Sequence, residues 1–313
     1  MLVWIDSPLC QSPFLSDIAY YASDEFKNNG KEQFKEIILQ NIHHPSVAMW
    51  GVFSLLRGRS ADLMSYVKEL NALAKSTDPS RPTVACSNQD GDINFITDLI
   101  VWQQSVGWDK GAVEDLDIWQ SALRTNWAHL RQAVCYGEGG TKGIYNEELV
   151  SRGASQHRIP ESWQTRFHEG YVNLIDRNLF WGVWLNNMFD YLSPYRGESM
   201  NYSGLVCFDH TTPKDAYFLY RALWNKSEPT LYIAERRWKS RCDALQTIRV
   251  YSSVERPTLV VDRDSVELRQ VAECCWQADS VTIGERTMIR VYDGTGNHRD
   301  SVELRVDKLR VAR

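Results

Sequence analysis

Three kinds of residue in this 313-residue chain could do chemistry: carboxylates at the ends of apolar runs, a thiol in the same setting, and aromatics beside them. Asp6 follows Leu2-Val3-Trp4-Ile5, and Asp190 closes Trp184-Leu185-Asn186-Asn187-Met188-Phe189. Glu138 lies in the glycine-rich run Tyr136-Gly137-Glu138-Gly139-Gly140, with Glu147 and Glu148 beyond it. Two carboxyls held close together can serve as nucleophile and acid/base. A glutamate in a glycine-rich loop reads equally as a solvated acid. Cys135 reads as a buried thiol or as a nucleophile, but thiol attack on an anomeric carbon would leave a thioglycoside that resists hydrolysis. His43-His44 has no third ligand at a useful spacing. The seven cysteines are odd in number and show no CxxC pair, so neither a disulfide framework nor a metal site is expected, and no cofactor.

Those groups need a scaffold, and the chain has the length for one large or two medium domains. A net charge of −5 offers no electrostatic footing on nucleic acid or an anionic membrane. No apolar run approaches the ~18 residues of a transmembrane helix. The first residues lack the basic stretch of a signal peptide, so no compartment is assigned. The 12 Trp and 14 Tyr serve cores and also stack on sugar faces, so their number does not decide between the two.

Up to Trp224 short apolar runs alternate with amphipathic stretches, the pattern of βα units on a parallel sheet. Strands are expected at Met1–Ile5, Ser46–Phe53, Pro82–Cys86, Leu99–Trp102, Ala133–Tyr136 and Phe180–Asn186. Phe34, Ile37, Ile38 and Ile42 mark one helix face; Leu63, Val67, Leu70 and Leu73 mark another, with Ser60 as N-cap. Helices are also expected over Trp163–Leu179 and Lys214–Trp224. From about Tyr232 the period becomes two (Ile248, Val250; Leu259, Val261; Val281, Ile283; Ile289, Val291; Val302, Leu304, Val306), with a turn at Asp293-Gly294. That predicts a small antiparallel sandwich. The domains are therefore set at 1–224 and 232–313.

Several motifs resemble glycoside hydrolase family 2, the β-galactosidase and β-glucuronidase family. They are His44-Pro45-Ser46 followed by a strand through Trp50-Gly51, Asp78-Pro79-Ser80-Arg81-Pro82, Trp181 to Tyr191, Gly204-Leu205-Val206 with Asp209, and Lys214 to Tyr220. Leu2 to Leu9 is similar to the family's third barrel strand. Leu231-Tyr232-Ile233-Ala234 and Val250-Tyr251-Ser252 resemble the immunoglobulin-like domain that follows the barrel. The resemblance implies an α/β fold: strands 3–8 of a (β/α)8 TIM barrel, then an all-β immunoglobulin-like sandwich. The first two barrel strands would be missing, which suggests a fragment or a missing N-terminal segment; a homo-oligomer also stays open as a partner.

The same resemblance locates the chemistry. The family's acid/base Glu, preceded by a sugar-contacting Asn, falls on Leu55, preceded by Ser54. The family nucleophile falls on Cys135, with Glu138 three residues late. An Asn and a Tyr that face the sugar become Gln103 and Ser105, ahead of Trp108. A tryptophan platform becomes Asn186, with Trp184 two residues earlier and Asn187 beside it. The expected binding set is Ser54, Gln103, Trp108, Trp184, Asn186 and Asn187. The implied ligand is a β-linked glycoside, and the implied protein is a hydrolase homologue impaired by loss of both glutamates. Two alternatives stay open: an active glycosidase with relocated carboxylates, Asp6 and Glu138 foremost, or a non-catalytic carbohydrate-binding or structural subunit.

Overall fold

A computed structural model describes residues 2–10, 22–56, 60–108, 111–145, 159–192, 200–297 and 299–307. They fall into two compact units. One comprises Met1–Ser105, Asp117–Tyr136 and Asp176–Leu185; the other comprises Val106–Leu116, Gly137–Ile175 and Asn186–Arg313.

The first unit is a six-stranded, all-parallel sheet. Its strands are β1 (Val3–Asp6), β2 (Val47–Ser54), β3 (Thr83–Ser87), β4 (Leu99–Gln103), β5 (Gln132–Tyr136) and β6 (Val183–Leu185), hydrogen-bonded in chain order. Sequential parallel neighbours require a crossover each time, which is how a barrel is wound. Helices α1 (Asp24–Asn41) and α2 (Ala61–Thr77) provide the first two crossovers. Ser23 and Ser60 cap them, accepting from Phe26 N and Leu63 N at 3.2 Å each. α2 buries Leu63, Tyr66, Val67, Leu70 and Ala74, the face its spacing predicts.

The Asp78-to-Pro82 motif is a clamp. Buried Asp78 accepts from Trp50 Nε1 (2.9 Å), Arg81 Nη1 (2.7 Å) and Ser80 N (2.9 Å). Arg81 also donates to the carbonyls of Val47 (2.8 Å) and Ile42 (2.9 Å). Burial alone would raise the Asp78 carboxyl, but bonds from Ser80, Arg81 and Trp50 outweigh it and hold it well below the usual range. The edge of β2 is thereby fixed to the start of β3.

Three elements depart from expectation. The helix expected over Trp163–Leu179 is α4 (Glu161–Leu174), because Ile175 turns to extended backbone with ψ 123°. The strand expected over Phe180–Asn186 narrows to β6. Helix α3 (Leu116–Asn126) was not among the expected elements, although Leu116, Trp119 and Leu123 keep helical spacing. Its buried stripe, Leu116, Gln120 and Leu123, carries a glutamine in the middle, whereas Ile118 is 71% exposed. Gln120 is buried because its Oε1 accepts from Asp176 N at 2.7 Å.

The second unit holds α4, the two-stranded β7 (Tyr191–Leu192) and β8 (Met200–Asn201), helix α5 (Asp215–Trp224) and two larger sheets. Those sheets use β9 (Leu231–Ile233), β10 (Ser240–Arg241), β11 (Leu245–Ser252), β12 (Thr258–Val261), β13 (Asp264–Val266), β14 (Arg269–Ala272), β15 (Cys275–Thr282), β16 (Thr287–Tyr292) and β17 (Arg299–Val306). One runs β10-β17-β16-β12-β13 and the other β14-β15-β11-β9. The inward residues of the period-two pattern form their shared core, including Ile248, Val250, Leu259, Val281, Ile283, Ile289, Val291, Val302 and Leu304. A sandwich of this kind was expected.

Buried charges bind α4 and α5 to the sandwich inside this unit. Glu161, 0% exposed, accepts from Asp215 N (2.9 Å), Arg237 Nη1 (3.0 Å), Gly143 N (2.7 Å) and Tyr145 OH (3.1 Å). Asp215 accepts from Tyr232 OH (2.6 Å) and Glu235 N (2.7 Å). No helix among the described residues is long and apolar enough to cross a membrane.

Candidate functional site

Barrel chemistry belongs at the C-terminal ends of the strands, and strand register sets what meets there. Gln103, Cys135 and Trp184 are direct partners across β4, β5 and β6, so they form one row. On the other side Ser54 pairs with Cys86, and Asp6 pairs with Gly51. Leu55 follows β2 in the left-handed region (φ 52°), anchored by its N–H on Cys86 O at 2.8 Å.

The filling of these strand ends is apolar. Met49, Val84, Cys86, Val101, Ala133 and Cys135 form one buried cluster, with Trp4, Leu55 and Trp184 packed on it. The rings of Trp4 and Trp184 lie 5.3 Å apart, and Trp181 meets Trp184 edge-on at 4.9 Å. Cys86 Sγ approaches Gln103 Oε1 at 3.9 Å. Leu55 and Cys135, the two positions that the resemblance assigns to the glutamates, thus belong to the same hydrophobic assembly.

Asp6 is the carboxyl of this region. Trp4 Nε1 donates to its Oδ1 at 2.9 Å. Gly51 exists for it, because a Cβ at position 51 would lie 1.9 Å from that oxygen. Burial pushes the Asp6 carboxyl up to about 7, and the Trp4 bond opposes it only in part. The Cys135 thiol is raised well above its ordinary value by the neighbouring Cys86 thiol and by burial, so it stays protonated. The arrangement offers one carboxyl of raised proton affinity, the protonated Cys135 thiol, an amide and indole faces. A double displacement needs two carboxyls, and among the described residues packed here Asp6 is the one carboxyl.

The other expected residues lie in the second unit. Trp108 was expected to face a sugar. Instead it is 6% exposed, its ring packed against Phe167 (5.6 Å) and Trp163 (6.3 Å), so it is a core residue. Asn187 is tied to Ser203, donating through Nδ2 to Oγ at 2.8 Å. Asn186 places its carbonyl against Gly137, where a Cβ would sit 2.0 Å from it; that is the physical content of the Tyr136-Gly137 motif. The carbonyl of Glu138 accepts from Gln164 Nε2 at 2.9 Å. Asp190 is paired with fully buried Lys214 at 2.7 Å and accepts from Gly204 N at 2.9 Å. Glu147 and Glu148 lie outside the described residues. Sequence reasoning passed over Trp4 and Cys86. Each is the inward residue near the end of an apolar strand, and that alternation was the available signal.

Residues 16–228 match the model of the family described as glycosyl hydrolases family 2, TIM barrel domain. The chain belongs to this family. A β-glucuronidase of Bacteroides fragilis is 35% identical over 300 residues, covering 93% of this chain and 43% of that protein. The family 2 chain therefore spans less than half the length of this curated relative. A β-glucuronidase of Rattus norvegicus is 23% identical over 64% of this chain. Among solved structures, an FMN-binding β-glucuronidase from Facaelibacterium prausnitzii superposes with TM-score 0.83 at 24% identity, over 99% of this chain and 47% of that one. A Bacteroides uniformis β-glucuronidase gives 0.81 at 20% identity, over 98% and 39%. These structural likenesses establish the shared family 2 fold.

Proposed function

We propose that this chain is a family 2 homologue that has lost hydrolytic competence and keeps a carbohydrate-facing strand-end pocket. One observation carries the reading: Leu55 and Cys135 are part of the apolar cluster with Trp4 and Trp184, and Asp6 is the carboxyl among them. General acid/base assistance contributes about 10²–10⁴ in rate, and the nucleophile position is lost as well. By analogy with the relatives' names, the ligands to try first are β-glucuronides and β-galactosides.

The test is an aryl β-glycoside panel assayed with the protein containing this chain. No turnover above buffer is expected. Combined Ser54→Asn, Leu55→Glu and Cys135→Glu is the smallest set expected to restore it. Hydrolysis by the unmodified protein, abolished by Asp6→Asn, would overturn the reading in favour of a relocated carboxylate. That rival draws on the placement of the Asp6 carboxyl near 7, the range of a general acid at neutral pH. Glu138→Gln distinguishes the second relocated candidate in the same assay.

A further inference from the structure

The seven cysteines form no motif in the sequence, yet the fold of the first unit brings two of them together. Cys86 is the penultimate residue of β3 and Cys135 of β5, and β4 stands between the two strands. On β4, Cys86 pairs with Val101 and Cys135 with Gln103, two residues further on. That stagger is the one that brings side chains of alternate barrel strands into one layer. Both thiols sit in one buried cluster, 4% and 3% exposed, and they hydrogen-bond to each other.

A buried thiol pair has two ordinary uses, a disulfide or a metal. Neighbouring strands lie about 4.7–4.9 Å apart, so two steps separate the backbones by roughly 9 Å. A disulfide needs Cα atoms within about 7 Å of each other. Closing one here would drag β3 and β5 together against the hydrogen bonds that both make to β4. An ion asks for less. Metal–thiolate bonds are about 2.3 Å long, so one ion spans roughly 4.6 Å between sulfurs and leaves the backbones in place.

Coordination number then names the ion. Among the described residues, no group of three or more histidines, cysteines and carboxylates is placed to hold a metal. Zinc asks for a full tetrahedron of ligands and calcium for a shell of oxygens, and this pair supplies neither. The neighbours of the pair are apolar, Met49, Val84, Val101 and Ala133. Thiolates select soft cations, monovalent copper foremost, and that ion is satisfied by two sulfurs in line. We infer that Cys86 and Cys135 form a two-coordinate dithiolate site for a soft monovalent cation of the Cu(I) class, bridging β3 and β5 across β4. Ligation replaces two S–H bonds by two S–Cu bonds and releases two protons to solvent, with no change in oxidation state.

The test uses the full chain, reduced and kept free of oxygen, loaded with Cu(I) as its acetonitrile complex and then challenged with the chelator bicinchoninate. One equivalent should be retained, with a thiolate-to-copper charge-transfer band in the near ultraviolet and two protons released per ion. Cys86→Ala and Cys135→Ala should each weaken retention by more than about a hundredfold, beyond the loss expected of a group that merely orients a ligand. Cys135→Met keeps a soft sulfur that carries no proton, so it should still hold the ion while releasing one proton, a result that misfolding would not give. Cys274→Ala, at the adjacent Cys274-Cys275 pair, should change nothing. Retention indifferent to Cys86→Ala and Cys135→Ala, or lost with Cys274→Ala, would overturn the inference. So would failure of the parent to hold copper against the chelator, or a Cys86–Cys135 disulfide formed readily in the native chain by diamide.

Discussion

Buried carboxyls in the two units live under opposite terms. Glu161 in the second unit is fully enclosed and receives four donors from three segments: the loop that carries Gly143 and Tyr145, the first turn of α5 and Arg237. Asp6 in the first unit is half-buried and, among the described residues, receives one, the Trp4 indole. A buried charge with a full set of donors is architecture, because every lone pair is committed. A buried carboxyl with one donor has uncommitted valence and a raised proton affinity, the state from which chemistry or ligand binding can start. Asp215 shows that donors alone do not settle the matter. It has Tyr232 and the Glu235 N–H, yet burial and then the neighbouring Glu161 push it up to about 7, since two carboxylates share one guanidinium.

The largest effect that would break this comparison is at Glu161. Glu161→Ala leaves the Gly143 N–H and the Asp215 N–H without their acceptor and takes from Arg237 one of its two carboxylates. Removing one partner of a buried ion pair costs about 3–5 kcal/mol. The lower end is expected, near 3 kcal/mol, because Arg237 is 27% exposed and water can recover part of its solvation. Urea denaturation measures it. A loss under about 1 kcal/mol, the scale of an ordinary surface site, would mean that Glu161 is not the keystone its bonds suggest.

Next in size is the fit between Gly51 and Asp6. Gly51→Ala forces a methyl into the Asp6 carboxylate, an overpacking typically worth about 1–3 kcal/mol. In an Asp6→Ala background most of that cost should vanish, but not all, because Asp6 Cα lies 3.0 Å from the same point. A double-mutant cycle reads the coupling directly. Strict additivity would show that Gly51 is required for a reason other than the Asp6 carboxylate.

How much of this was legible beforehand follows the same division. The period-two alternation in the sandwich read cleanly because each inward position is a plain hydrophobe. The six parallel strands were legible for the same reason, and the motif around Asp78 because Pro, Ser and Arg at fixed spacing build a clamp. Helix α3 was not, because a buried glutamine serves its core face and an isoleucine its solvent face. At the site, linear motifs were enough to assign the two glutamate positions by resemblance to Leu55 and Cys135. The row Gln103-Cys135-Trp184 could not be read that way, because it depends on the register of three strands separated by up to eighty residues of chain. Trp108 failed as a sugar platform because exposure of an aromatic is decided by what packs on it, here Trp163 and Phe167, and composition carries no record of that.

The subtlest expected effect is in the pH dependence of stability. Asp6 and Asp215 are both raised to about 7, whereas an unfolded aspartate titrates near 3.9. Between about pH 4 and about pH 7 the folded protein therefore binds more protons at these sites than the unfolded chain. These two sites make stability fall as pH rises through that window, each unit of difference being worth about 1.4 kcal/mol, while buried His168, held down to about 3, opposes them below about pH 6.5. Asp78 acts in the opposite sense: its stabilisation is present above the ordinary carboxylate range and is lost only in stronger acid, so it leaves the window clear. Asp6→Asn keeps an oxygen for the Trp4 indole and removes the titration. The variant should match the parent near pH 4 and exceed it near pH 8, with a shallower slope between. Asp215→Asn should flatten the curve less cleanly, because losing that charge also frees Glu161 and Arg237 to rearrange. Denaturation midpoints across the pH range test both. A parent whose stability rises steadily from about pH 4 to about pH 7, with Asp6→Asn following the same curve, would show that Asp6 is solvated and ionised, and the contrast between the singly held and the fully held carboxyl would fail at its first term.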